Sequence, residues 1–364
     1  IGVARLVVNR KGVRVGGDNR CGDSHRSGRC CGRGDRRFNR RDGLHGRGRD
    51  NRRGFRRGCQ RVDEVDHHAV ALALDAVVGP EGWDVALAFD RGGDITGVWV
   101  YCLSTYYGFR VVKMPPLTAY SGPRLFYPSN MTAQESRYTF EKKVLNELIE
   151  QLPPTAFFYQ EWHPDLHNWL PAHWKGFRQT TRYTYLLSDL QDRNAVFDNF
   201  RSNVRTHIRK AEDLLIVESD DIDAVFRLHA LSLEKQGLPT PAILPVLQRI
   251  DETLHAHSQR LLLLAEDEQG RRHAGIYVVW DEKTAYYLLS GADPGLRSSG
   301  ALYRLVWEAL QICSRKGLAF DFEGSMLEPV EEVFRGFGGL MTPHHKVFRP
   351  GNRVFGMLWE WKGW

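Results

Sequence analysis

Two carboxylates, Asp321 and Glu323, alternate with Phe320 and Phe322 in the stretch FDFEGSMLEPVEEVFRGFGG, Phe320 to Gly339. In a β-strand, side chains two apart share a face, so the spacing predicts both acids on one face and both phenylalanines on the other. Neighbouring carboxyls raise each other's pKa, and a carboxyl raised towards neutrality suits proton transfer better than packing. The competing expectation is a strand that ends at the surface with both acids solvated. Gly324 and Ser325 read as a loop, with Ser325 a turn or hydrogen-bonding residue because no oriented His–Asp pair is evident to make it a nucleophile. Pro329–Gly339 reads as an aromatic helix.

Other groups with chemical potential lie elsewhere. Arg201, Arg205 and Arg209 recur at i, i+4 and predict one basic stripe on a helix, flanked by Lys210. Arginine grips phosphate or an anionic acceptor bidentately, and the alternative is a solvated face. The run Arg297-Ser298-Ser299-Gly300-Ala301-Leu302 leads into a helix. There a glycine would let backbone approach phosphate while the helix amides and dipole stabilise the anion. The stretch EWHPDLHNWLPAHWKGF, Glu161 to Phe177, gathers Trp162, Trp169, Trp174, His163, His167 and His173. His163 and His167 have a metal-binding spacing if helical, but Pro164 and Pro171 argue for a loop. The expectation is therefore no metal, with Trp169 and its neighbours walling a cleft or simply packed. His344 and His345 open a strand after Pro343, where only one can face inward, and surface placement is expected.

These residues need elements to hold them. GWDVALAFDRGGDITGVWVYCLS reads as a hairpin around Arg91–Asp94. MPPLTAYSGP, Met114 to Pro123, is a structured turn forced by its prolines and glycine. QESRYTFEKKVLNELIEQLP is an amphipathic helix stopped by Pro153 and Pro154, and TAFFYQEW and RYTYLLSDL are further strands. The second half is helix (from Asp221 or Asp223 to Gly237), three antiparallel strands over Arg260–Pro294, helix (Ala301–Gly317), strand (LAFDFEGS), helix, and strand (HHKVFR).

Bulk composition excludes some functions. The net charge of +6 is misleading: residues 1–61 hold eighteen Arg and one Lys against five Asp and no Glu, a surplus of fourteen, so the remainder is negative by eight. Nucleic-acid binding by the folded body is thereby disfavoured. Residues 1–61 have neither helical nor strand period and cannot bury a core. Frame-shifted translation of GC-rich DNA fits their Arg/Gly/Asp/His/Cys mixture best. A solvated RNA-binding Arg/Gly tail, or a zinc site from Cys21, Cys30, Cys31, Cys59, His25 and His45, remain alternatives. The opening IGVARLVVNR is too short and basic for a signal peptide, and without an initiator Met a fragment is expected. No run approaches the ~20 apolar residues of a membrane span. Cys102 and Cys313 are isolated and read as buried thiols of a reducing compartment, which places the protein in the cytoplasm.

The element order of residues 195–350 resembles a GNAT N-acyltransferase domain, and Arg297–Leu302 resembles that family's donor-pyrophosphate loop, with Leu302 departing from its final small position. The body as a whole resembles the bacterial Fem-type (FemABX-like) branch, "methicillin resistance protein"-like, through MPPLTAYSGP, NVRTHIRKAED and FDFEGS followed by FRGFGG. Glu323 sits in the branch's variable slot, and no Arg separates Gly324 from Ser325. The resemblance implies an α+β fold of two tandem acyl-CoA N-acyltransferase-like halves, with mixed, mostly antiparallel sheets flanked by helices. The expected division is 1–61, then a first half over 62–193 truncated at its start, a second half over 194–350, and a tail over 351–364.

The activity so implied is direct transfer of an acyl group from acetyl-CoA or another acyl-CoA to an amine. Asp321 or Glu323 would be the base, and Tyr286 or, as preferred here, Tyr287 would donate a proton to the thiolate. Arg297, Ser298, Ser299, Gly300 and Ala301 would hold the donor. Arg201, Arg205, Arg209, Trp169 and Ser325 would hold the acceptor, a small molecule or cell-wall precursor. One alternative is Fem-type aminoacyl-tRNA-dependent transfer in peptidoglycan synthesis, although no long helical arm interrupts residues 195–270. The other is a non-catalytic binder with an RNA-binding tail.

Overall fold

The computed structural model describes residues 78, 79, 81–351 and 357. The expectations for residues 1–61, for the start of the first half and for most of the tail lie outside them. Along the chain run β1 (Trp83–Phe89), β2 (Ile95–Tyr106), β3 (Phe109–Lys113), β4 (Gly122–Leu125), α1 (Gln134–Glu150), β5 (Phe157–Glu161), α2 (Leu170–Trp174) and β6 (Arg178–Leu187). Then follow α3 (Arg193–Asp198), α4 (Ser202–Lys210), β7 (Leu215–Glu218), α5 (Ile222–Lys235), α6 (Leu244–Ala256), β8 (Arg260–Glu266), β9 (Arg272–Trp280) and β10 (Thr284–Ala292). A 3-10 turn at Arg297–Ser299 leads to α7 (Ala301–Lys316), β11 (Ala319–Asp321), α8 (Glu328–Gly336) and β12 (Leu340–Pro350).

All twelve strands form one sheet in the order β1-β2-β3-β5-β12-β6-β11-β10-β9-β8-β7, with β4 beside β2. The fold is α+β, a mixed sheet flanked by helices. Most pairs are antiparallel; β3–β5 and β10–β11 are parallel. A parallel pair needs a long crossover, and α1 and α7 supply the two. The repeated plan inferred from the sequence is thus visible in the connections themselves. The last strand, β12, enters between β5 and β6 and pairs with both, while β6 also pairs with β11. Strands from the first and second halves therefore alternate at the centre of the sheet.

Local chemistry explains the elements. α1 buries Val144, Leu145, Leu148 and Ile149, a helical repeat, and ends ahead of Pro153. Asp221, not Asp223, caps α5, its Oδ1 accepting from the Ala224 amide at 2.9 Å. α6 and β7 are additions to the elements read from sequence. The signal for α6 is Leu247, Ile250 and Leu254 at helical spacing after Pro245. One face of the second half packs α7 with Leu261, Leu263, Ile276, Val278 and Tyr287. The other packs α5 and α6 over Leu262, Leu264, Tyr277 and Leu289.

The Met114–Pro123 turn is pinned from below by a buried amide. Gln160 Oε1 accepts from Trp99 Nε1 at 2.6 Å, and its Nε2 donates to Val100 O at 3.0 Å and Ser121 Oγ at 2.9 Å. Gly122 has φ +110°, and a Cβ there would lie 2.5 Å from the Trp162 ring, so the turn closes only with glycine. Gln160→Leu leaves the Trp99 and Ser121 groups without their partner. We expect it to cost about 1–3 kcal/mol of unfolding free energy in urea titration, and a loss below 0.5 kcal/mol, on the order of an ordinary surface change, would contradict the pin.

Candidate active site

β11 is shorter than the sequence pattern suggests and stops at Asp321. Phe320 and Phe322 point into the second-half core, and Asp321 points to the opposite face, 3% exposed. Glu323 follows with φ +57° and Gly324 with φ +68°. A Cβ at Gly324 would lie 2.0 Å from the Tyr183 carbonyl oxygen, so the strand can turn aside here only at glycine. The two acids are neighbours as expected, but a kinked end of strand brings them together rather than a regular one.

Asp321 is saturated with donors. Tyr120 Oη donates to its Oδ2 at 2.9 Å, the Glu323 amide donates to Oδ1 at 2.7 Å, and Thr184 Oγ1 also donates to Oδ1. Burial raises its pKa, opposed by these bonds and by the charge of His163. Glu323 differs: it is half-buried, and among the described residues no side chain or backbone donor reaches its carboxylate. Burial, then the charge of Asp321, pushes its pKa up to about 8. A carboxyl in that state is largely protonated at neutrality, whereas the Asp321 carboxyl is fixed in place by its three donors.

Tyr120 comes from the pinned turn of the first half and is the residue that the sequence reading missed. Its ring centroid lies 5.2 Å from His163, 5.1 Å from His344 and 6.3 Å from Tyr286. Burial, then the Asp321 charge, raises its pKa. Tyr286 stands opposite Asp321 across the parallel ladder and donates to Asp281 Oδ2 at 3.0 Å. Tyr287, preferred from sequence as the proton donor, is on the other face among Phe320, Phe322 and Phe334. Alternation along β10 decides this: one residue's shift moves a side chain through the sheet. Tyr286 is the tyrosine on the acid face.

His344 is 4% exposed, contrary to the expected surface placement, because it is opposite Arg182 at the centre of the sheet. Its Nε2 donates to Glu161 Oε2 at 3.1 Å. Arg182 also approaches Glu161, at 3.6 Å. His345, on the other face, bonds the His167 carbonyl at 3.0 Å. The expected aromatic wall is displaced too. Trp162 is in the first-half core, Trp169 packs against that core and stands 6.3 Å from His345, and Trp174 is exposed with Lys142 over its ring. Of that segment only His163 reaches the acids.

The residues expected to hold donor and acceptor lie on the α7 side. Arg297 and Ser298 are exposed, Ser299 is half-buried, and Gly300 and Ala301 are buried at the start of α7. A Cβ at Gly300 would lie 2.3 Å from the His207 carbonyl oxygen, and the His207 ring stacks on Tyr303 at 4.7 Å. The glycine thus serves close packing of α4 on α7. The arginine stripe is broken up: Arg201 precedes α4, Arg205 donates to the carbonyls of Asp198 and Phe200, and Arg209 lies over the Phe197 ring. α4 packs against α7, so the stripe is beside the loop, not beside the acids. Ser325 Oγ accepts from the Leu327 amide at 3.1 Å as a turn residue.

Between these two regions the sheet opens. The β10–β11 ladder ends at Tyr286 and Asp321, yet β10 continues to Ala292, paired with β9 alone. Part of its freed edge bonds to α5 instead, through His229 to the Ser290 carbonyl at 2.8 Å and Ser232 to that of Ala292 at 3.1 Å. Two cavities, of about 720 and 210 Å³, lie elsewhere, beside Leu231 and Leu238 and beside Trp307 and Arg193. They are surface grooves without the acids, and the site's chemistry does not follow their size. Among the described residues no group of three His, Cys, Asp or Glu could hold a metal ion, and no helix is long and apolar enough to cross a membrane.

Residues 198–327 match the family model of the acetyltransferase (GNAT) domain. The chain is an acyltransferase by the class of that domain. The solved structure of FemX superposes on 78% of this chain and 92% of its own with a TM-score of 0.56 at 12% identity, which establishes a shared fold. The C-terminal domain of a putative lysylphosphatidylglycerol synthetase from Agrobacterium fabrum covers 77% of this chain and 87% of its own (TM-score 0.47, 14% identity). A tandem GNAT protein from the clavulanic acid biosynthesis pathway covers 76% and 86% (TM-score 0.43, 12% identity). No curated protein matches the chain.

The Glu323 carboxyl has a pH signature. Its folded-state pKa lies above the unfolded one, so between about 4.5 and about 8 the folded state binds more protons, and stability falls as pH rises through that window. Glu323→Gln removes the penalty. We expect the variant to gain melting temperature over the parent, more at about pH 8.5 than at about pH 4, just outside the two ends of that window, read by calorimetry at both pH values. An equal effect at the two pH values would contradict the raised carboxyl.

Proposed function

We propose that the chain moves an acyl group from a CoA thioester to an amine acceptor by direct attack. The observation that carries this reading is the opening of the sheet at Tyr286 and Asp321, with the Arg297–Ala301 loop and α7 on one face and a free, raised carboxyl on the other. A thioester entering from the loop side would present its carbonyl at the opening. The acceptor would approach from the face of Tyr120, Tyr286 and His163.

An ammonium acceptor cannot attack until it loses a proton, and the ionised form of Glu323, whose population grows as pH rises towards about 8, is suited to take it. The nitrogen then bonds to the thioester carbon, the C–S bond breaks, and the thiolate takes a proton. Asp321 acts by position: bound by three donors, it fixes Tyr120 over the site and keeps negative charge beside the incoming cation. This assigns Tyr120 and Tyr286 to the acceptor face in place of Tyr287 and Trp169.

The second reading keeps the fold and changes the donor to an aminoacyl-tRNA, with a cell-wall precursor as acceptor. The tight packing of Gly300 on His207 favours it, because that glycine is explained without a pyrophosphate. Calorimetric titration of the full chain with acetyl-CoA separates the two. Gly300 is a poor target since any side chain meets backbone, so Arg297→Glu is the comparison. Micromolar binding weakened about tenfold or more by Arg297→Glu, ~1.4 kcal/mol, is the expected result. No binding by folded protein would discard the CoA donor.

A further inference from the structure

On the reading of the acceptor as an amine, we infer that His344, held by Glu161, is the second proton acceptor of the site. The stoichiometry of the reaction leaves a second proton for one to carry. An ammonium nitrogen sheds two protons on becoming an amide, one before it attacks and one as the tetrahedral adduct collapses. One ends on the sulfur and the other in solvent. Glu323 can hold one at a time: it takes the first and returns it to the departing thiolate. The second needs another base on the acceptor face.

His344 has the geometry of such a base. It stands on β12 opposite Arg182 of β6, and its strand neighbour Thr342 is opposite Thr184, which bonds Asp321. Its ring meets the Tyr120 ring edge-on at 5.1 Å, so one tyrosine touches both the Asp321 carboxylate and the imidazole. Nε2 is committed to Glu161, and Nδ1 is buried without a hydrogen-bond partner. An imidazole fixed through one nitrogen by a carboxylate, with the other nitrogen uncommitted, is the arrangement of an oriented general base.

Glu161 holds the ring as an ionised acceptor. Burial raises its pKa, but the His344 bond and the charges of Arg182, His344 and Lys346 outweigh this and keep it ionised. The groups facing His344 are Glu161 from β5, Arg182 from β6, Lys346 from its own strand and Tyr120 from the turn, with His163 on the far side of Tyr120.

Acetyl transfer from acetyl-CoA to n-butylamine and to lysine by the full chain tests this. His344→Gln keeps the side chain's bulk and polarity, and it should lower kcat by about 100-fold or more with little change in KM for acetyl-CoA. His344→Gly should recover part of the rate with added imidazole, and Glu161→Gln should displace the pH–rate profile. Circular dichroism on each variant confirms folding. A kcat in folded His344→Gln within about threefold of the parent overturns the proposal. So does a loss with neither imidazole rescue nor any change of pH profile, which would mark a packing role. A parent protein that binds acetyl-CoA yet acylates neither amine overturns the amine reading beneath it, and one that binds no acetyl-CoA overturns the donor reading.

Discussion

The buried carboxylate of Asp321 constrains the rest of the structure. A charge removed from water is tolerated only where several donors replace its hydration. Here the donors come from three separate segments: Tyr120 from a turn of the first half, Thr184 from β6, and the Glu323 amide from the bend after β11. Each has its own support. Gln160 pins the turn, β12 holds β6 from its other side, and Gly324 permits the bend. The continuous sheet is what keeps the three in register, because β6 contacts both β11 and β12.

The same constraint separates two carboxylates that look alike in sequence. Asp321 is reached by three donors; among the described residues none reaches the Glu323 carboxyl, whose pKa burial and then the Asp321 charge push up to about 8. Environment rather than residue type divides the roles, as when paired acids in one cleft take different protonation states. The opening between β10 and β11 begins at this pair. A single ladder end thus brings the opening of the sheet and the acid pair together.

Much of the second half was legible in the sequence because its signals are local. Asp221 before an apolar helix, three alternating strands with turn residues between them, and Arg297–Leu302 before α7 are each read within a few residues. The acid pair was legible for the same reason. What was not legible depends on pairs distant in the chain. Tyr120 lies 201 residues from Asp321, and nothing in MPPLTAYSGP announces a carboxylate as its partner. The inward turn of His344 follows from β12 entering between β5 and β6, which strand propensity does not encode. Tyr287 was preferred over Tyr286 because the face of a strand depends on its register, and the register is set by β9 and β11. The arginine stripe met helical periodicity, but Arg201 precedes the helix and Arg205 is spent on backbone carbonyls.

The most direct test of the account is an experimental structure of the protein soaked with acetyl-CoA, read for the position of the thioester. The pyrophosphate is expected at Arg297–Ala301 and the thioester carbonyl at the opening beyond Tyr286 and Asp321, within reach of Glu323. A thioester bound on another surface, with Glu323 and Tyr120 away from its carbonyl, would contradict it.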